Sequence, residues 1–166
     1  MRYFVSLLLL LCLAHQPAVA QEEALMVRAM SFNIRYNNPG DGIHAWPNRA
    51  DDAAAAIAFW DADVAGLQEA LRGQINDLSM RLPGYAWLGV GRDDGGDTGE
   101  FSPIFYKRDR FNVVTHGTFW LSPTPDEVGS RGWDAALPRI ATWAHLQDKT
   151  TRASLLVVNT HFDHVG

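Results

Sequence analysis

The feature that most constrains this chain is a series of strand-length apolar runs that finish on polar residues able to do chemistry. "ALMVRAMSFNI" ends at Asn33 and Ile34, "DVAGLQE" ends on Glu69, and "SLLVVNT" opens into His161, Asp163 and His164. Apolar alternation over such lengths reads as β-strand. A loop rich in Asn, Pro and Gly, "RYNNPGDGIHAWPNR", follows the first run. Asn48 is the expected cap of a helix over "RADDAAAAIAFW", with Asp51 and Asp52 in the first turn, where the helix dipole favours acids. A second helix, "LRGQINDLSMRL", carries Leu71, Ile75, Leu78 and Leu82 on one face and ends at Pro83-Gly84.

The chain then turns to strands: "YAWLGVGR", "SPIFYK", "FNVVTHGTFWL" and "IATWAHL", parted by turn-rich segments such as "DDGGDTG". Helices and strands mix without strict βαβ alternation, which predicts an α/β layered sandwich in one domain. The last strand, apolar along most of its length, is expected at the centre of its sheet with both faces covered.

The first 20 residues read as a signal peptide. Arg2 precedes an apolar run from Phe4 to Ala14, and Ala18-Val19-Ala20 is a small-x-small cleavage pattern. That run is shorter than the roughly 20 residues that span a bilayer, so no transmembrane segment is expected in the mature chain. Export to a secreted or periplasmic location is expected, with cleavage near Ala20 and residues 21–166 as the N-terminal part of one folded domain. Cys12 lies within the apolar run, so the mature chain has no thiol for disulfide or nucleophilic chemistry. Without Arg2 the balance is 13 Lys+Arg against 19 Asp+Glu. No basic stripe exists to track a nucleic-acid backbone. An acidic site that handles phosphate through a bound cation remains compatible with this charge.

Asn33, Glu69 and His161 stand at the ends of strands, where open α/β sheets build their sites, and Glu100 opens the segment "EFSPIFY". Mg²⁺ takes one or two carboxylates and fills its shell with water and substrate oxygens. Glu69 can supply such a carboxylate, Asn33 can orient it or the phosphate, and His161 can donate to a phosphoryl oxygen as charge builds there. A zinc site would need His161 and His164 on one side, and no HExxH or cysteine accompanies them. Trp46 and Trp133 are read as packing residues, with stacking on a base or sugar as the alternative.

In order and spacing, "MSFNIRYNN", "DADVAGLQEA", "GEFSPIFYKRDRF" and "LLVVNTHFDHVG" resemble the opening motifs of the endonuclease/exonuclease/phosphatase superfamily, the DNase I-like metal-dependent phosphoesterases. The resemblance covers Leu25 to Gly166. It implies a four-layered α/β sandwich, of which this chain is the first half, and hydrolysis of phosphodiesters or phosphomonoesters with Mg²⁺ or Mn²⁺. By the same resemblance Asn33 matches the asparagine of the first motif, Glu69 the metal-binding glutamate, and His161 the histidine that meets the scissile phosphate. Glu100 resembles the glutamate that pairs with that histidine in DNase I. Arg139, Asp163 and His164 fall near the expected site without an assigned role.

The superfamily's later "GDFN" and "SDH" motifs are not found in this sequence. The reading is therefore a fragment of an exported phosphoesterase, expected to be inactive by itself. Its substrate would be a small molecule, a lipid head group or a nucleic acid, and no stable protein partner is implied. A deadenylase-like 3′–5′ exonuclease acting on RNA and a non-catalytic binding half-domain are the alternatives.

Overall fold

In the computed structural model, residues 25–163 are described; the expected signal peptide, Cys12 and His164 lie outside them. The first strand, β1 (Ala29–Asn33), leads through two short 3₁₀ turns, Pro39–His44 and Trp46–Asn48, into helix α1 (Ala50–Phe59). Strand β2 (Val64–Gln68) and helix α2 (Arg72–Arg81) follow. Five strands come next: β3 (Tyr85–Leu88), β4 (Ile104–Lys107), β5 (Phe111–Trp120), β6 (Ile140–Asp148) and β7 (Ser154–Thr160).

The strands form two sheets. One has the order β1-β2-β4-β3, with β1 parallel to β2 and the other pairs antiparallel; the second is an antiparallel meander, β5-β6-β7. Strand β2 is buried along its whole length. Its alternation sends Ala65 and Leu67 towards the helices and Val64 towards the second sheet, so one strand feeds two cores.

The helical core holds Ala50, Ala53, Ala54 and Ile57 of α1, and Ile75 and Leu78 of α2. The spacing on each helix follows from the helical period, which places such residues on one face. Between the sheets lie Val64, Ile104, Phe111, Ala144 and Leu146. The described layers are thus helices, sheet and sheet, the mixed α/β sandwich expected. Among the described residues no helix is long and apolar enough to cross a membrane.

Two local expectations change. Asn48 does not cap α1: it closes the preceding 3₁₀ turn and donates its amide to the Gly42 and Ile43 carbonyls, while Arg49 takes the capping position. Among the described residues strand β7 is not central. It is the edge of the three-stranded sheet, with Leu155 and Val157 turned inward and Leu156 and Val158 exposed. An apolar run cannot by itself tell a two-faced strand from an edge strand, because both burial patterns fit the same composition.

Candidate active site

The site forms where β1 and β2 end side by side. Parallel pairing sets Asn33 opposite Gln68, so Glu69 emerges beside Asn33. The Asn33 amide donates to Glu69 Oε1 at 2.9 Å, and the backbone N–H of Tyr36 donates to Glu69 Oε2 at 3.2 Å. In turn Asn33 Oδ1 accepts the Arg35 N–H at 2.9 Å.

Glu69 and Arg35 both take left-handed backbone conformations, with φ of 60° and 55°. Such residues persist only where their surroundings over-determine them, and here they do. The Arg35 carbonyl accepts from Arg49 Nη2 at 2.8 Å and from Gln74 Nε2 at 2.9 Å. Gln74 is fully buried, and its Oε1 also accepts the N–H groups of Asn37 and Leu71 at 3.0 and 3.1 Å. One amide thus ties the loop after β1 to the start of α2.

Burial alone would raise the Glu69 carboxyl's pKa. The Asn33 amide, the Tyr36 N–H, His161 and Arg35 outweigh it, leaving the group below the usual carboxylate range. Glu69 is therefore an anion at neutral pH. Arg35 lies 3.9 Å from it, while forming a two-point pair with Asp41 at 3.0 and 3.1 Å.

His161 reaches the site from the other sheet, and a buried asparagine sets its position. Asn159, two residues earlier on β7, donates to the Leu67 carbonyl at 2.7 Å and the Pro103 carbonyl at 3.0 Å, and accepts from Gln68 Nε2 at 2.8 Å. A Cβ at Gly66 would meet Asn159 Oδ1 at 2.6 Å, so the glycine is the space that lets the two sheets approach here. The segment preceding β4 carries Glu100, whose Oε2 stands 3.9 Å from His161 Nδ1 and accepts from Arg92 at 2.8 Å. Arg139, to which sequence reading assigns no role, is buried and holds Asp163 Oδ1 at 3.0 and 2.8 Å.

All four sequence-predicted residues lie at this end of the sandwich, in two linked pairs: Asn33 with Glu69, and Glu100 with His161. Sequence reading missed Arg92, Gln74 and Asn159 as supports. The signal was present for Asn159, an amide inside an apolar strand that must be satisfied if buried. Trp46 is a packing residue, buried and donating to Asp77 at 2.8 Å, whereas Trp133 is exposed. The open depression at the other end of the sheet, about 620 Å³, is lined by Lys107 and Arg110. Both are committed to ion pairs, Lys107 with Asp61 and Asp63, and Arg110 with Asp63 and Asp148, so among the described residues that line it neither is a free cation for an anionic ligand.

Among the described residues no cluster of three His, Cys, Asp or Glu side chains is placed to hold a metal. A hard, water-rich ion needs no such cluster and fits the residues present: Glu69 is ionised, and each of its oxygens retains acceptor capacity beyond one N–H.

No protein-family model matches the chain. It is 30% identical over 117 residues to the uncharacterized protein R895 of Acanthamoeba polyphaga mimivirus, covering 60% of this chain and 17% of that one. Among solved structures it is 49% identical, with a TM-score of 0.83, to an endonuclease/exonuclease/phosphatase from Bacteroides vulgatus, over 84% of this chain and 54% of that one. It is 45% identical, with a TM-score of 0.82, to a mannosyl-6-phosphatase from Bacteroides thetaiotaomicron, over 85% and 53%. The fold is DNase I-like, that of endonuclease/exonuclease/phosphatase proteins. The chain spans about half the length of these solved relatives.

Proposed function

We propose that the protein is an exported phosphoric ester hydrolase that works with Mg²⁺ or Mn²⁺. The observation that carries this reading is the Asn33–Glu69 pair: an anionic carboxylate fixed at the ends of adjacent strands, with His161 brought to the same end from the second sheet. Glu69 would hold the cation, with Asn33 orienting the carboxylate, and the cation's contribution would be Lewis-acid polarisation of a phosphoryl oxygen. His161 would donate to a non-bridging oxygen as negative charge develops in the transition state. Glu100 would orient the His161 ring.

A phosphomonoester of a sugar is the substrate class to try first, since one relative at 45% identity is a mannosyl-6-phosphatase. The RNA exonuclease reading finds less support. Among the described residues Arg35, Arg92 and Arg139, which lie by the site, are each paired with a carboxylate.

The test is hydrolysis of sugar 6-phosphates by the protein as its gene encodes it. Turnover should require Mg²⁺ or Mn²⁺ and stop with a chelator. Glu69→Gln and His161→Ala should each lower kcat by about 10²- to 10⁴-fold. Turnover that survives the chelator, or either variant at wild-type rate, would contradict the proposal; binding of the ester without hydrolysis would favour a non-catalytic module.

A further inference from the structure

The loop after β1 carries an arginine that faces two carboxylates at once. Arg35 Nε and Nη2 fork onto Asp41 Oδ2 and Oδ1 at 3.0 and 3.1 Å, and the remaining nitrogen, Nη1, stands 3.9 Å from Glu69 Oε2. Among the described residues these are its two carboxylates in ion-pair range.

The backbone on both sides of the fork is held. The Arg35 N–H donates to Asn33 Oδ1 at 2.9 Å and its carbonyl accepts from Arg49 and Gln74, which fixes the left-handed conformation. The Asp41 N–H donates to the Asn38 carbonyl at 3.1 Å, and Asp41 Oδ1 accepts from the Asn38 amide at 3.2 Å. The part able to swing is the Arg35 side chain, which is 48% exposed. Its guanidinium lies 4.4 Å from the centroid of the Tyr36 ring, and Tyr36 is the residue whose N–H donates to Glu69 Oε2. The swing therefore begins on the Glu69 side.

A half-exposed ion pair adds little to stability, but a two-point fork fixes where a guanidinium points. Here that direction decides what Glu69 can offer. Glu69 Oε2 accepts one N–H, from Tyr36, and keeps capacity for another partner. A divalent cation and Arg35 Nη1 would compete for that capacity, and their like charges repel. With Asp41 removed, Glu69 is the carboxylate left in ion-pair range of Arg35. Closing the gap to a hydrogen bond takes a movement of about 1 Å.

We propose that Asp41 is a positioning residue: by holding the Arg35 guanidinium through Nε and Nη2, it keeps Nη1 off Glu69 and leaves that carboxylate open to a divalent cation. The inference rests on the reading of Glu69 as a cation ligand, whereas the swing of Arg35 onto Glu69 is measured without metal.

The experiment compares wild type, Asp41→Ala, Arg35→Met and the double variant D41A/R35M in the protein as its gene encodes it, with Glu69→Gln as the reference. Mn²⁺ affinity is read from paramagnetic broadening of the Tyr36 N–H signal. D41A should bind Mn²⁺ about 10-fold more weakly than wild type, and D41A/R35M should return to within about threefold of it. R35M by itself should bind at least as tightly as wild type. Metal-free spectra follow the swing. The Arg35 side-chain N–H signals, assigned through R35M, should move further when E69Q is added to D41A than when it is added to wild type.

D41A at wild-type affinity would overturn the proposal. So would R35M weaker than wild type, or Arg35 signals that respond to E69Q equally in both backgrounds. A double variant as weak as D41A would also overturn it, because the loss would then belong to Asp41 itself and not to the arginine it holds. If wild type binds no Mn²⁺ through Glu69 but the Arg35 signals report the swing in D41A, the hold of Asp41 on Arg35 stands and the cation reading falls. Should D41A fail to fold, Asp41→Asn takes its place, since one neutral amide oxygen cannot replace a carboxylate under both guanidinium donors. Weaker Mn²⁺ binding there, relieved by adding R35M, would support the proposal, and wild-type affinity would contradict it.

Discussion

At the scale of single residues, the molecule depends on amides that bridge segments far apart in sequence. Asn159 spans the two sheets, Gln68 completes its hydrogen bonds, and Gly66 makes room for it. Gly66→Ala is the sharpest test of that bridge, because the new methyl would sit 2.6 Å from Asn159 Oδ1 and 2.7 Å from its Cγ. The expected cost is about 2–4 kcal/mol, from overpacking plus buried carbonyls left without donors. Urea unfolding should show a lower midpoint at unchanged slope; an unchanged midpoint would mean that Asn159 can move aside. Asn33, Glu69 and His161 could be named from sequence because each stands where an apolar run ends. Arg92 could not, since "GVGRDDGG" gives no sign that its arginine turns inward.

At the scale of elements, the helices and strands follow from periodicity, and the departures have physical causes. The cap of α1 moved one residue because the tryptophan-proline turn before it already employs Asn48. Among the described residues strand β7 lies at the edge, because neighbours are set by tertiary pairing, which hydrophobic pattern does not encode. The turn between β6 and β7 carries a testable electrostatic feature. Asp148 accepts the N–H groups of Thr150 and Thr151 at 2.9 Å and Arg110 Nε at 3.0 Å. The Thr151 N–H and the Arg110 guanidinium, followed by the Thr150 N–H, lower its pKa from 3.8 to about 2.

A carboxyl whose pKa is lowered by folding stabilises the native state above its unfolded value, and that contribution fades as pH falls towards the folded one. Stability should therefore drop between about pH 4 and about pH 2, the interval between those two values. Asp148→Asn should be less stable than wild type at neutral pH and depend less steeply on pH within that window. Denaturant melts at several pH values would check this, and parallel curves for the two proteins would contradict it.

At the scale of the whole molecule, the layered α/β design was readable from the mixture of helix and strand patterns, and the superfamily resemblance from the motifs at strand ends. How the sheets face each other was not. That relation is fixed by Asn159, whose amide stands out in an apolar strand but does not name its partners, and by the inter-sheet core around Phe111 and Leu146 and the acid–base chain around Arg110, which have no local signature. The functional account comes down to whether Glu69 is a cation ligand.

The most direct measurement is Mn²⁺ titration of the chain, following paramagnetic broadening of the backbone N–H signals of Asn33, Arg35 and Tyr36. Broadening should begin there, be lost in Glu69→Gln, and weaken as pH falls below the usual carboxylate range, where the lowered Glu69 pKa finally lets the group protonate. Broadening that ignores the Glu69 substitution, or that centres on the Lys107–Arg110 end of the sheet, would contradict the account.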